Sequence, residues 1–131
     1  MTKDGILNAA LCRAIAACGH TDYFMIADCG LPLPDGVEVI DLSLTRGIPH
    51  FTEALAAVNR ELVVESYVLA SETETVSPAL HQEIQKIMGD LPCKTVSHEQ
   101  LKEMSKNAKV IVRTGETTPF ANIILECGVN F

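Results

Sequence analysis

The sequence predicts an α/β fold, a three-layer sandwich around a mainly parallel sheet, Rossmann-like in layout but without a dinucleotide motif. Three observations predict it. Short apolar runs of strand length alternate along the chain with segments whose apolar residues recur at helical spacing. Helix-start signals stand between successive runs, at Asn8, Pro49, Ser77-Pro78 and Ser97. Neither G-x-G-x-x-G nor G-x-x-x-x-G-K-[ST] occurs, which sets the chain apart from ordinary dinucleotide-binding and P-loop domains.

In order, "NAALCRAIAACGH" reads as a helix, N-capped by Asn8, with Gly19 where a left-handed C-terminal residue belongs. "YFMIAD" is a buried strand, apolar or aromatic at every position but the last. Two prolines and two glycines force the loop "CGLPLPDG". "VEVIDLSL" alternates like a strand with one face in water. "PHFTEALAAVNR" follows as a helix with Pro49 in its first turn, and "LVVESYVLAS" as another strand. Ser77 and Pro78 open the helix "SPALHQEIQKIM", which carries Leu80, Ile84 and Ile87 on one face. "CKTV" is a short strand, and Ser97 with Gln100 forms a capping box for "SHEQLKEM". The strand "KVIVRT", the loop "GETTPFA" and the strand "NIILECGV" complete the chain.

At 131 residues, with no repeat, low-complexity tract or linker, residues 1–131 are expected to form one domain. Hydrophobic residues make up 47% and charged residues 21%, and the mean hydropathy is +0.20. So little polar surface on so short a chain predicts apolar area buried between subunits, hence a homo-oligomer. The net charge of −7, from 17 acidic and 10 basic residues, offers no basic footprint for nucleic acid. No apolar run reaches the ~18 residues of a membrane span, and "MTKDGILNAAL" lacks a signal-peptide core, so a cytoplasmic protein is expected. Cys12, Cys18, Cys29, Cys93 and Cys127 are scattered and without C-x-x-C, as buried free thiols would be. A zinc site from Cys18, His20 and Cys29 is conceivable, but the spacing matches no standard ligand pattern.

Ligands of parallel sheets gather outside the carboxyl ends of the strands. Asp28 ends its strand, His98 follows "CKTV" at the start of a helix, and the loop from Gly115 to Asn122 follows "KVIVRT". Three segments thus bring polar groups to one edge. Each also has a plainer reading: Asp28 as a turn residue bonding its own backbone, His98 as an exposed first-turn residue, Asn122 as a loop tie. Glu116 either faces a ligand or bonds neighbouring amides, and the second is the simpler reading. His50 and His81 fall on helices without companions. His20 is the misfit. It lies at the amino end of a strand whose other end holds Asp28, on the order of 20 Å away. It merely meets the helix dipole, or the chain doubles back to bring it to the other edge, or it serves a site on another subunit.

"GHTDYFMIADCGLPLP", "VIDLSLTRGIPHF" and "RTGETTPFANIILECGVNF" resemble the D-ribose pyranase family, related to the fucose mutarotases, and "GLPLP" and "TRGIPHF" resemble the ribose branch. The resemblance covers nearly the whole chain. It implies an isomerase without metal or cofactor that interconverts the β-pyranose and β-furanose forms of D-ribose. The family's catalytic histidine matches His20. Its sugar-binding residues match Asp28, His98 and the run Phe120, Ala121 and Asn122. Phe120 stands where the family usually has tyrosine, which removes one hydroxyl that could bond the sugar. The resemblance further implies rings, commonly decamers of two stacked pentamers, with sites between neighbouring subunits. Two alternatives remain beside it: a mutarotase for fucose or another sugar, and a non-catalytic sugar-binding accessory to transport.

Overall fold

Asn8 opens the first helix, α1 (Ala9–Ala17), of the computed structural model, which describes residues 1–131. Its Oδ1 accepts the Leu11 amide at 3.0 Å, the cap that the sequence predicts. The helix does not end on a left-handed Gly19. Cys18 at the C-cap is extended, the Gly19 amide donates to Asp22 Oδ2 at 2.8 Å, and Thr21 takes the positive φ of 68°. That turn delivers the chain into β1 (Tyr23–Ala27), which is buried from Phe24 onward.

The remaining elements follow as β2 (Glu38–Asp41), α2 (Phe51–Asn59), β3 (Val64–Ala70), α3 (Ser71–Val76), α4 (Pro78–Met88), β4 (Cys93–Val96), α5 (His98–Ser105), β5 (Val110–Arg113) and β6 (Ile123–Cys127). The second strand is shorter than its pattern predicts, and only Ile40 of β2 is buried. Pro49 lies outside α2 rather than in its first turn. His50 is the N-cap, and its amide donates to Glu53 Oε2 at 2.8 Å. Helix α3 has no counterpart in the sequence reading. Its residues, "SETETV", mix charges with β-branched side chains of modest helix propensity, so no periodic signal marks it.

The sheet has the order β2-β5-β1-β6-β3-β4. Strands β1, β2 and β5 pair in parallel, as do β3 and β4, and β6 runs antiparallel between β1 and β3. The sheet is therefore mainly parallel with one reversed strand. Because β6 is reversed, the loop joining β5 to β6 stays at the edge where the other five strands end.

One face of the sheet carries α1, α2 and α4, through Leu11, Phe51, Leu55, Val58, Leu80 and Ile84, among others. The opposite face is covered by α5 through Leu101, against Met25, Val68, Ile111 and Ile124. Burying each large apolar side chain is worth about 1.5–3 kcal/mol, whereas a helix cap is worth about 1. Packing therefore holds the layers together, and the caps set where the helices begin. Of the cysteines only Cys127 is buried; Cys12, Cys18 and Cys29 are half-buried and Cys93 is exposed, so the expectation of uniformly buried thiols does not hold.

Candidate active site

Asp28 follows the last residue of β1, and its two carboxylate oxygens are used separately. Oδ1 accepts the Gly30 amide at 2.9 Å, the local turn bond expected of an aspartate before Cys-Gly. Oδ2 accepts Asn122 Nδ2 at 2.8 Å, while Asn122 Oδ1 accepts the Asp28 amide at 3.0 Å. The reciprocal pair joins residues 94 positions apart. Asn122 is wholly buried, and Asp28 is half-buried with its carboxylate turned toward the edge.

The loop before Asn122 is built around Glu116. This buried carboxylate accepts the amides of Phe51 (3.0 Å), Thr117 (3.2 Å) and Thr118 (3.3 Å) and the Thr118 hydroxyl (3.0 Å). Burial pushes its carboxyl up, but these donors together outweigh burial and hold it below the usual carboxylate range. Glu116 thus bonds neighbouring amides. His50 is not without a companion: its Nδ1 lies 3.6 Å from Glu116 Oε1. Gly115 begins the loop with the Thr45–Ile48 turn against its backbone, where a Cβ would collide with the carbonyl oxygens of Ile48 and Thr45.

Further along the loop, Phe120 adopts φ 61°, left-handed for a residue with a Cβ. Such a conformation costs about 1–3 kcal/mol and persists only where the surroundings over-determine it. Here the Phe120 carbonyl accepts the Asn122 amide at 2.9 Å and the Thr73 hydroxyl at 2.9 Å. The ring stands edge-on to the His98 imidazole, with centroids 5.0 Å apart and planes at 79°. Ala121 is wholly buried in the core.

His98 is the first residue of α5, whose capping box is formed as predicted: the Ser97 hydroxyl accepts the Gln100 amide at 3.2 Å and Gln100 Oε1 accepts the Ser97 amide at 3.0 Å. The His98 amide donates to Glu72 Oε2 at 3.0 Å. The Glu72 carboxyl is held below its ordinary range first by its own amide, then, against a small desolvation, by His98 and the Ser71 hydroxyl. Nδ1 of His98 is buried and has no hydrogen-bond partner. An orphaned buried ring nitrogen costs stability unless something supplies a partner. Asp28, Asn122, Phe120 and His98 therefore form one connected set at the carboxyl edge. Of the four, Asp28 also lines a concavity of about 300 Å³, together with Cys29, Gly30 and the loop from Glu116 to Pro119.

His20 is not part of that set. It sits at the amino edge, in the turn before β1, where the Thr21 amide donates to the Cys127 carbonyl. The turn is pinned by Asp22, whose carboxylate accepts Lys109 Nζ at 2.8 Å and the Gly19 amide. Those two donors, Lys109 first, hold the Asp22 carboxyl below its ordinary range. His20 Nε2 lies 3.0 Å from Glu65 Oε2, and both side chains are about half exposed. Cys18 belongs to this edge and Cys29 to the other, so the two cannot share an ion with His20.

Sequence reasoning missed Glu65, Glu72 and Thr73. Glu65 carried a usable signal, as a lone charge near the start of an apolar strand; for Glu72 and Thr73 there was none.

Residues 1–130 match the model of the RbsD / FucU transport protein family. The chain belongs to this family. Within it, the chain is 53% identical over 131 residues to the D-ribose pyranase of Geobacillus thermodenitrificans NG80-2, covering all of this chain and 99% of that relative. It is 50% identical to the D-ribose pyranase of Coprothermobacter proteolyticus, with both chains fully covered. Among solved structures of the family, Bacillus subtilis RbsD complexed with D-ribose superimposes with a TM-score of 0.96 at 43% identity, over the whole of both chains. The fucose mutarotase of Streptococcus pneumoniae in complex with L-fucose shares the fold, with a TM-score of 0.78 at 24% identity over 95% of each chain.

Proposed function

We propose that this chain is a D-ribose pyranase, an isomerase that interconverts the β-pyranose and β-furanose forms of D-ribose. The observation that carries the reading is likeness over the full length: half the residues are shared with relatives called D-ribose pyranases, and the fold matches a homologue crystallised with that sugar. The exchange opens the ring to the aldehyde, rotates the chain and closes it through another hydroxyl. Opening delivers a proton to the ring oxygen and removes one from the anomeric hydroxyl; closing reverses both transfers. Oxidation states do not change, and the chemistry asks only for positioned acid–base groups, which contribute about 10²–10⁴-fold.

In this reading His20 shuttles the proton. Histidine suits the role because its ordinary pKa, about 6.5, allows exchange at neutral pH. With Nε2 against Glu65, Nδ1 is left to face the sugar. Asp28 and His98 bind sugar hydroxyls, the wholly buried Asn122 and Ala121 set the floor beneath them, with Asn122 holding the Asp28 carboxylate, and Phe120 forms an apolar wall. Because His20 and Asp28 stand at opposite edges, each site joins the His20 edge of one subunit to the Asp28 edge of its neighbour. Rings of subunits, as a decamer of two stacked pentamers, would supply that arrangement, in a cytoplasmic protein acting on a free monosaccharide. No helix is long and apolar enough to cross a membrane.

Saturation-transfer NMR on ribose tests the reading. His20→Ala should lose the enzyme's contribution, about 10²–10⁴-fold, while the oligomer persists on size exclusion. Wild-type exchange in that variant would overturn His20 as the proton carrier. Running fucose in parallel separates the ribose reaction from a fucose mutarotase, a comparison made pointed by the missing hydroxyl at Phe120. A transport accessory would bind ribose with neither wild-type nor variant accelerating exchange.

A further inference from the structure

We propose that Thr73 and Ser77, neither of which faces the sugar, are positioning residues that hold the Phe120 wall of the site in its working conformation. The proposal rests on the reading of Asp28, His98, Phe120 and Asn122 as the sugar site.

Four observations carry it. Phe120 has a left-handed backbone although it bears a Cβ, so its conformation must be imposed from outside. The carbonyl that fixes it accepts the Thr73 hydroxyl at 2.9 Å, and Thr73 is wholly buried, so water cannot take over that bond. The preceding carbonyl, of Pro119, accepts the Ser77 hydroxyl at 2.8 Å. Ser77 stands at the N-cap of α4, where serine ordinarily caps its own helix, yet its side chain makes no cap bond and is given to the loop instead. Two hydroxyls, one within α3 and one directly after it, thus grip consecutive carbonyls of the site loop.

The grip reaches both walls of the site. Glu72, beside Thr73, accepts the His98 amide, so α3 sets the loop that bears Phe120 and the start of the helix that bears His98. The edge-on contact of Phe120 with His98 at 5.0 Å is the product of these anchors. If the loop relaxes, the ring leaves its place against the sugar, while His20, at the other edge, is untouched. Ribose binding should therefore suffer and proton transfer should not.

The test is ribose exchange by saturation transfer across a range of concentrations, with thermal melts on the same assembled proteins. Thr73→Val replaces the hydroxyl by a methyl of equal size. It should raise KM for ribose about 3- to 10-fold with kcat near wild type, the loss of one hydrogen bond. Thr73→Ser keeps the hydroxyl and should restore KM. Ser77→Ala should raise KM similarly without unfolding α4, and it decides the question if Thr73→Val does not assemble. In a Phe120→Ala background, Thr73→Val should add nothing to KM. Wild-type KM in both Thr73→Val and Ser77→Ala, or a Thr73→Ser variant as impaired as Thr73→Val, would overturn the proposal. Asp28→Ala separates the two levels. If it leaves exchange intact the site reading itself fails, whereas its loss beside unaffected Thr73 and Ser77 variants defeats only the positioning role.

Discussion

Asp28 and Glu116 show how one functional group, the carboxylate, is put to two uses on two loops that line one concavity. Asp28 spends one oxygen on its own turn and one on Asn122, and remains half-buried at the edge. Glu116 is buried and surrounded by donors, so its charge is a tie between the loop and the start of α2. Its lowered folded pKa has a definite sign. The stabilisation is present above the unfolded value of about 4.3 and is lost as pH falls toward the folded value. Glu116→Gln puts an NH₂ group against one of these donors and should cost about 2 kcal/mol at neutral pH. The gap between variant and wild type should narrow in melts taken below about pH 4. A gap that stays constant with pH would mean that the Glu116 charge contributes nothing.

At the scale of elements, the helix starts were legible wherever a cap and an apolar stripe coincide, as at Asn8 and at Ser97 with Gln100. Ser97→Ala should cost about 1 kcal/mol by urea melt and loosen the first turn, where His98 sits. A variant as stable as wild type would mean that the Glu72 bond to the His98 amide suffices to hold that turn. Elsewhere the local signal lost to its neighbours. Pro49 has the right chemistry for a first turn, but the chain at Ile48 and Pro49 packs on Gly115, whose amide donates to the Pro49 carbonyl, and the helix begins after it. Gly19 has the freedom for a left-handed cap, but Asp22 captures its amide and Thr21 makes the turn. Helix α3 is short and polar, and it is held by the loop that it holds in turn.

At the scale of the molecule, the length of β1 is the governing dimension. Five residues at about 3.3 Å each keep His20 and Asp28 too far apart to share a small sugar within one subunit. Exposed Leu44, Ile48, Val63 and Phe131 add to the surplus of apolar surface that the composition announces. If sites join two subunits, inactive His20→Ala and Asp28→Ala proteins, unfolded together and reassembled, should regain part of the wild-type exchange rate. Mixed oligomers verified by native mass spectrometry and showing no recovery would overturn the shared site.

The sequence by itself determined the strands, most of the helices, and which polar residues end which strand. These follow from hydrophobic period, turn residues and caps, all read within a window of about a dozen residues. From them came the edge shared by Asp28, His98 and Asn122 and the isolation of His20. Only the tertiary structure decided the reversal of β6 between β1 and β3, the Glu65 partner of His20, and the orphaned nitrogen of His98. It also decided the grip of Thr73 on Phe120 and of Ser77 on Pro119. All but the orphaned nitrogen are contacts between residues far apart in the chain, 45 positions in the case of His20 and Glu65. Such a contact is set by how the layers pack, which no local pattern records.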